Sequence, residues 1–168
     1  MDYFHLYNRR NNYGRIFFQR ENYLYFLRLL RCHLVEKEVD LLAYCLMPNH
    51  YHLLVGLELE ILPMVMKSLS VAYTKAINKR FHRVGALFQG RYRSLPVSND
   101  AYLINLCRYI HLNPVKAGLV DRPEEWEFSS YLEYAGLRAG TLPAQQLIRE
   151  MVGGDGRYRS FLDSESLT

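Results

Sequence analysis

Two histidines two residues apart, His50 and His52, open a short apolar run directly after the turn pair Pro48-Asn49. The run, residues 50–57, is rich in Leu and Val and too short for a helix of its own, which predicts a strand. Side chains at i and i+2 of a strand share a face and stand roughly 7 Å apart along the chain. Two imidazoles so placed can converge on one divalent ion, while Tyr51 between them turns to the other face and packs. The alternative is a partly buried histidine pair satisfied by hydrogen bonds. A third chemical element is therefore needed from elsewhere in the chain.

Tyr73 is the candidate. Residues 62–81 read as a long helix whose apolar stripe is Leu62, Met66, Leu69, Ala72, Tyr73, Ala76 and Ile77, with Tyr73 at its centre. Aimed at the sheet that carries the histidines, its phenol oxygen would approach a metal held by His50 and His52. The competing reading makes it a core residue. Charge supplies a further sign. Between Glu60 and Asp100 there is no acidic residue, while the interval holds Lys67, Lys75, Lys79, Arg80, Arg83, Arg91, Arg93 and His82. From Asp121 onward nine acids face five Lys or Arg. A solvated helix face mixes its signs, so the purely basic block points to a polyanion, nucleic acid above all.

The elements that must position these residues follow in order. Residues 3–8 alternate as a first strand, and Asn8 to Gly14 form a basic, turn-rich loop. Asn22 reads as an N-cap for a helix to about residue 36, with Tyr23, Phe26, Leu27, Leu30 and Leu34 at helical spacing. Val39–Leu46 is a strand that Pro48-Asn49 turns back into the histidine strand. After the long helix, residues 92–97 form another strand. Asp100 caps a helix carrying Leu103, Leu106, Cys107 and Ile110, which stops before Pro114. Strand, helix, strand, strand, helix, strand is the order of the α+β, ferredoxin-like arrangement: a split β-α-β unit with an antiparallel sheet and helices on one face. A short C-terminal helical tail completes the chain, so residues 1–135 read as the domain and 136–168 as the tail. Within the tail a weak helix spans about 144–152, and just before it Trp126 serves as an anchor.

The sequence resembles the REP-associated tyrosine transposases, relatives of the single-strand transposases that use an HUH motif and one tyrosine. The resemblance runs over roughly residues 3–135. It is carried by residues 43–55 (AYCLMPNHYHLLV), 73–80 (YTKAINKR), 85–92 (GALFQGRY), 108–119 (RYIHLNPVKAGL) and Ser129-Ser130-Tyr131. It implies that His50 and His52 hold Mg²⁺ or Mn²⁺, and that Tyr73 attacks a phosphate of single-stranded or hairpin DNA. The expected products are a 5′-phosphotyrosine and a free 3′-hydroxyl, with repeated extragenic palindromes as the natural target and a homodimer as the assembly. Such transposases often take a third ligand from a polar residue one helical turn after the tyrosine. That position is Ile77 here, so Asn78 is carried as the ligand although it lies about 140° from Tyr73 around an ideal helix.

The same basic segments supply the expected DNA contacts. Phe88, Gln89, Arg91, Tyr92 and Arg93 interleave cations with aromatic rings, as a surface that grips phosphates and stacks unpaired bases would. Asn8, Arg9 and Arg10 are placed to read a DNA hairpin, with Arg10 where the family would lead one to expect glycine. Lys75, Lys79, Arg80 and Arg83 extend the patch. A solvated loop or hairpin is the alternative for each. Tyr109, Asn113 and Pro114 read as a helix stop, and His5, His33, His82 and His111 show no ligand spacing.

Bulk features set the class. At 168 residues the chain fits one domain with a real core, and no apolar run reaches the ~20 residues a membrane span needs. Cys32, Cys45 and Cys107 are odd in number and widely spaced, which argues for a reducing compartment, the cytoplasm, and against a thiolate zinc site. Two rivals to a metal-dependent nicking and strand-transfer enzyme remain open. One is a non-catalytic nucleic-acid-binding module on the same scaffold; the other is a hydrolase that uses water as its nucleophile.

Overall fold

The computed structural model describes residues 1–164, so the last four residues of the expected tail lie outside the described part. Strands β1 (Asp2–Arg9), β2 (Asp40–Met47), β3 (His50–Leu57) and β4 (Arg93–Pro96) form one sheet in the order β2-β3-β1-β4. Every neighbouring pair is antiparallel. Helix α1 (Arg20–His33) connects β1 to β2, and α2 (Leu62–Arg80) connects β3 to β4. This is the split β-α-β arrangement expected from the order of elements. Helix α3 (Asp100–Lys116) follows β4, and three short helices, α4 (Tyr131–Tyr134), α5 (Gln146–Met151) and α6 (Tyr158–Asp163), end the described chain.

The sheet is covered on both faces. Odd-numbered residues of β3, Tyr51, Leu53 and Val55, join Phe26 and Leu30 of α1 and Met66, Leu69 and Tyr73 of α2 in one core. On the other side Leu54 joins Cys45 and Met47 of β2, Leu103, Cys107 and Ile110 of α3, and Ile148, Tyr158 and Leu162 of α5 and α6. Helices α1 and α2 thus share one face, as expected, and α3 with the tail helices occupies the other. A β-bulge between Leu41 and Ala43 lets Leu41 face the first core and both Leu42 and Ala43 the second.

Helix boundaries shift from the sequence reading for identifiable reasons. Asn22 does not cap α1 from outside. It lies one turn in, where its Oδ1 accepts hydrogen bonds from the backbone N–H of Phe18 (3.0 Å) and Gln19 (2.8 Å). Asn99, not Asp100, caps α3, accepting from the Tyr102 backbone N–H at 2.8 Å. Nor does α3 stop before Pro114, which falls in its last turn. The helix ends at Lys116, and just past it Gly118, with a φ of 70°, permits the paired bonds Gly118 N–H to Val115 O and Leu119 N–H to Pro114 O. Beyond α3 the chain covers the free edge of β2. Leu46 N–H bonds Phe128 O, Ser130 N–H bonds Tyr44 O, and the Trp126 indole N–H donates to Leu46 O at 3.0 Å, as an anchor should.

Candidate active site

Strand parity decides what the histidines face. His50 and His52 alternate with the buried Tyr51, so they stand on the sheet face covered by α3. Their rings meet edge to face with centroids 5.0 Å apart. Each is held at one nitrogen. His50 Nδ1 lies 2.5 Å from Asn49 Oδ1, which can only accept there, so the proton sits on Nδ1 and Nε2 is left with its lone pair. His52 Nδ1 lies 2.9 Å from Nε2 of His5, two positions into the opposed part of β1. Burial lowers all three pKa values, to about 4 for His5 and about 3 for His52, so both partners of that bond are neutral at pH 7 and one must donate.

Helix α3 lays a polar and aromatic stripe across the same face. Tyr102, Asn105, Tyr109, Asn113 and Lys116 recur at spacings of three and four. The Tyr109 ring stands edge-on to His52 with centroids 5.7 Å apart and to His5 at 6.4 Å. It is 40% exposed, open enough to meet a substrate. The Lys116 ammonium sits over the Tyr109 ring, 5.0 Å from its centroid. One turn beyond Tyr109, the Asn113 carboxamide lies against His50; burial lowers the His50 pKa, and the carboxamide opposes that shift. Among the described residues no three His, Cys, Asp or Glu side chains converge as a metal site. Two imidazole nitrogens and a carboxamide oxygen are donor types that could hold a divalent ion with open positions.

Tyr73 is elsewhere. It is fully buried on α2, against the sheet face opposite the histidines. Its ring packs on Phe17, Phe26 and Phe88, and its hydroxyl donates to the Ile16 carbonyl at 2.6 Å. Burial pushes the phenol well above its ordinary range. The expected nucleophile is therefore corrected: the sheet itself separates Tyr73 from His50 and His52. Asn78 is corrected for the same reason. Its amide donates to Gly85 O at 2.9 Å and its Oδ1 accepts from Arg83 at 2.8 Å, so it fastens the loop after α2.

The expected DNA contacts divide. Asn8 is buried, donating to Gly90 O and accepting from Arg9 N–H, and Phe88 is core, packed edge-on to Tyr51. Neither side chain is presented to a strand of DNA. Gln89 accepts from Arg9 Nε at 3.0 Å and so orients that guanidinium. Lys75, Lys79 and Arg80 are exposed on α2, and Arg91 lies over the half-buried Tyr92 ring. Arg93 pairs in register with Tyr7 and is exposed. Among the described residues Arg10 and Arg83 bond neutral oxygens, Arg15 O and Asn78 Oδ1, and burial, with the Arg10 charge adding to it, lowers the Arg83 pKa. Arg10, with Asn11, Asn12, Ala86 and Leu87, borders a hollow of about 370 Å³.

The family model "Transposase IS200 like" matches residues 3–113, about two thirds of the chain. The chain belongs to the IS200-like transposases. A Haemophilus influenzae protein named "Putative REP-associated tyrosine transposase" is 27% identical over 103 residues, which cover 55% of this chain and 58% of that one. The chain thus spans somewhat over half the length of the relative. A solved REP-associated tyrosine transposase bound to a REP hairpin aligns over 83% of this chain and 86% of its own, with a TM-score of 0.64 and 20% identity. At that identity the likeness is one of fold. No helix among the described residues is long and apolar enough to cross a membrane.

Within this IS200-like transposase, sequence reasoning passed over Tyr109, Asn113 and His5. The signal for the first two was present. A polar residue one turn after a tyrosine is what Tyr109 and Asn113 supply and what Tyr73 and Ile77 do not. Reading Pro114 as a helix stop hid it, because Asn113 was then taken as the end of an element. His5 had no local signal. Its relation to His52 exists only through the β1–β3 register, in which Tyr7 opposes His52 and Leu54 opposes His5.

Proposed function

We propose that this transposase nicks single-stranded or hairpin DNA and transfers the strand, with Tyr109 as nucleophile and His50, His52 and Asn113 as ligands of a Mg²⁺ or Mn²⁺ ion. The observation that carries the reading is the Tyr109 ring beside His52 with Asn113 against His50, all on one sheet face. The ion, when bound, supplies Lewis-acid stabilisation of the charge that develops on the scissile phosphate. Asn49 and His5 fix the two imidazoles at Nδ1, so that both Nε2 lone pairs are free for the ion. Assigned this way, His52 Nδ1–H donates to His5 Nε2, and His5 is a positioning residue.

The Tyr109 oxygen attacks phosphorus, and the bond from phosphorus to the 3′-oxygen breaks. The phenolic proton passes to solvent, to which Tyr109 is open, and the leaving 3′-oxygen is protonated by water. A free phenol is a poor nucleophile at neutral pH, and the Lys116 ammonium places a positive charge beside the Tyr109 ring. The product ester conserves the phosphodiester, so a new 3′-hydroxyl can reverse the step and join a different strand. Tyr109 lies beside the histidines of its own chain, so chemistry needs no residue from a second copy. Arg9, Arg10, Arg83, Arg91 and Arg93 are the cations for the DNA backbone, and among the described residues Arg10 and Arg83 have no carboxylate partner, as a phosphate site would.

The test is a denaturing gel with labelled hairpin DNA and Mn²⁺. A DNA-linked, SDS-resistant band that disappears with EDTA and in Tyr109→Phe, but persists in Tyr73→Phe, is the expected result. Cutting that survives Tyr109→Phe without an adduct would assign the nucleophile to water.

A further inference from the structure

The space between α3 and the sheet is filled unevenly. Under β2 and β3 it is packed by Cys45, Leu54, Cys107 and Ile110, all fully buried. Toward β4 it opens into a cleft of about 500 Å³ that runs from the sheet edge to His52 and Tyr109. Tyr7 and Leu95 line the sheet side, and Tyr102, Asn105 and Tyr109 line the helix side. Three of these apolar side chains are exposed for residues of their size: Leu95 is 44% exposed, Tyr102 39% and Tyr109 40%. Exposed aromatic and aliphatic groups gathered around one opening are what a ligand would cover.

We propose that this cleft is a slot for the nucleobase of the nucleotide next to the scissile phosphate, with Asn105 reading its edge. The proposal rests on the strand-transfer reading for where that phosphate lies. Three features choose a base as the occupant. The walls are flat rings and a leucine, which stack on any base face. The carboxamide in the lining, Asn105, carries both a donor and an acceptor, is exposed, and makes no side-chain hydrogen bond among the described residues, so it can pair with the edge of an unpaired base. Among the described residues no carboxylate lines the cleft to repel DNA, and Arg93, in register with Tyr7 at the sheet edge, stands near its mouth to meet a phosphate. The cleft is continuous with Tyr109 and His52, so a strand held for attack at Tyr109 has one flanking base at this opening.

The experiment uses the full chain and a hairpin substrate whose cut site is mapped first on the gel. Each nucleotide flanking the cut is replaced by an abasic residue in turn, and the wild type is compared with Tyr102→Ala and Asn105→Leu, two exposed positions. For one flanking nucleotide the abasic substrate is expected to be cut about tenfold or more less efficiently by the wild type, the worth of one stacked base. That penalty should shrink toward unity in Tyr102→Ala. In parallel, 2-aminopurine is scanned along the strand with EDTA present to prevent cutting, and binding should change its fluorescence at that same nucleotide in the wild type but not in Tyr102→Ala. Adducts formed equally well on both abasic substrates would overturn the slot and leave strand transfer standing. An abasic penalty of equal size in both proteins would also overturn it, since the base would then be read elsewhere. If no adduct forms on any substrate, a position-specific fluorescence change lost in Tyr102→Ala supports the slot while the strand-transfer reading fails; a uniform response along the strand overturns both.

Discussion

Replacing Tyr73 by phenylalanine removes one oxygen from the interior of this protein, and replacing Tyr109 removes one from its surface cleft. The two changes should separate stability from chemistry. The Tyr73 hydroxyl gives its hydrogen bond to Ile16 O at 2.6 Å in a fully buried setting, while the ring keeps its contacts with Phe17 and Phe26 whether or not the oxygen is there. Deleting the donor leaves the Ile16 carbonyl unpaired, which costs about 1–3 kcal/mol. For a domain of this size that lowers Tm by roughly 2–4 °C per kcal/mol, so a fall between about 2 and 12 °C is expected. Adduct formation per folded molecule should stay at the wild-type level. The Tyr109 hydroxyl belongs to a side chain 40% exposed, and its loss should change stability by no more than about 0.5 kcal/mol. Adduct formation should vanish. A thermal melt followed by circular dichroism and the denaturing gel, run on the same preparations, read both quantities. An adduct that survives Tyr109→Phe and disappears in Tyr73→Phe at unchanged Tm would refute the assignment of the site to the α3 face.

Other perturbations follow from the same geometry. Asn113→Ala should weaken Mn²⁺ binding, read by electron paramagnetic resonance of free Mn²⁺, by about tenfold or more, with DNA affinity in EDTA unchanged; equal Mn²⁺ affinity would remove Asn113 from the ligand set. His5→Phe takes away the acceptor at His52 Nδ1 and should cost about 10–100-fold in Mn²⁺ affinity, as loss of a ligand's outer partner typically does. His5→Gln, which restores an acceptor, should recover part of that loss, and failure to recover any would make His5 a packing residue. His111 is fully buried, bonded to Tyr158 OH at 2.6 Å and Ser130 Oγ at 2.7 Å, and burial lowers its pKa to about 3. Below the unfolded value near 6.5 the unfolded chain therefore binds a proton that the folded chain refuses. This contribution to stability is complete above about pH 6.5 and is lost as pH falls toward 3, at about 1.4 kcal/mol per pH unit. Urea unfolding between pH 6 and 5 should show a slope smaller by about 1 kcal/mol per pH unit in His111→Gln than in the wild type, where His5 and His52 add to it.

The order of elements, the histidine strand and the partition of its side chains were legible in the sequence because a strand's period of two is a local property. Tyr51 packs where the alternation puts it, and His50 and His52 share a face. The helix stripe of α2 was equally legible, and Tyr73 does lie at its buried centre. What parity does not say is which helix covers which face. Strand β3 is buried on both sides, with Tyr51, Leu53 and Val55 toward α1 and α2 and Leu54 toward α3, so its pattern offers no polar side by which to tell them apart. A tyrosine on an apolar stripe and a histidine pair on a strand can then each be read correctly and still stand on opposite sides of the sheet. The side was decided by the crossover connections, which put α1 and α2 on one face, and by the tail packing with α3 on the other. Through that packing a helix whose residues looked like a stop signal came to carry Tyr109 and Asn113 over the histidines.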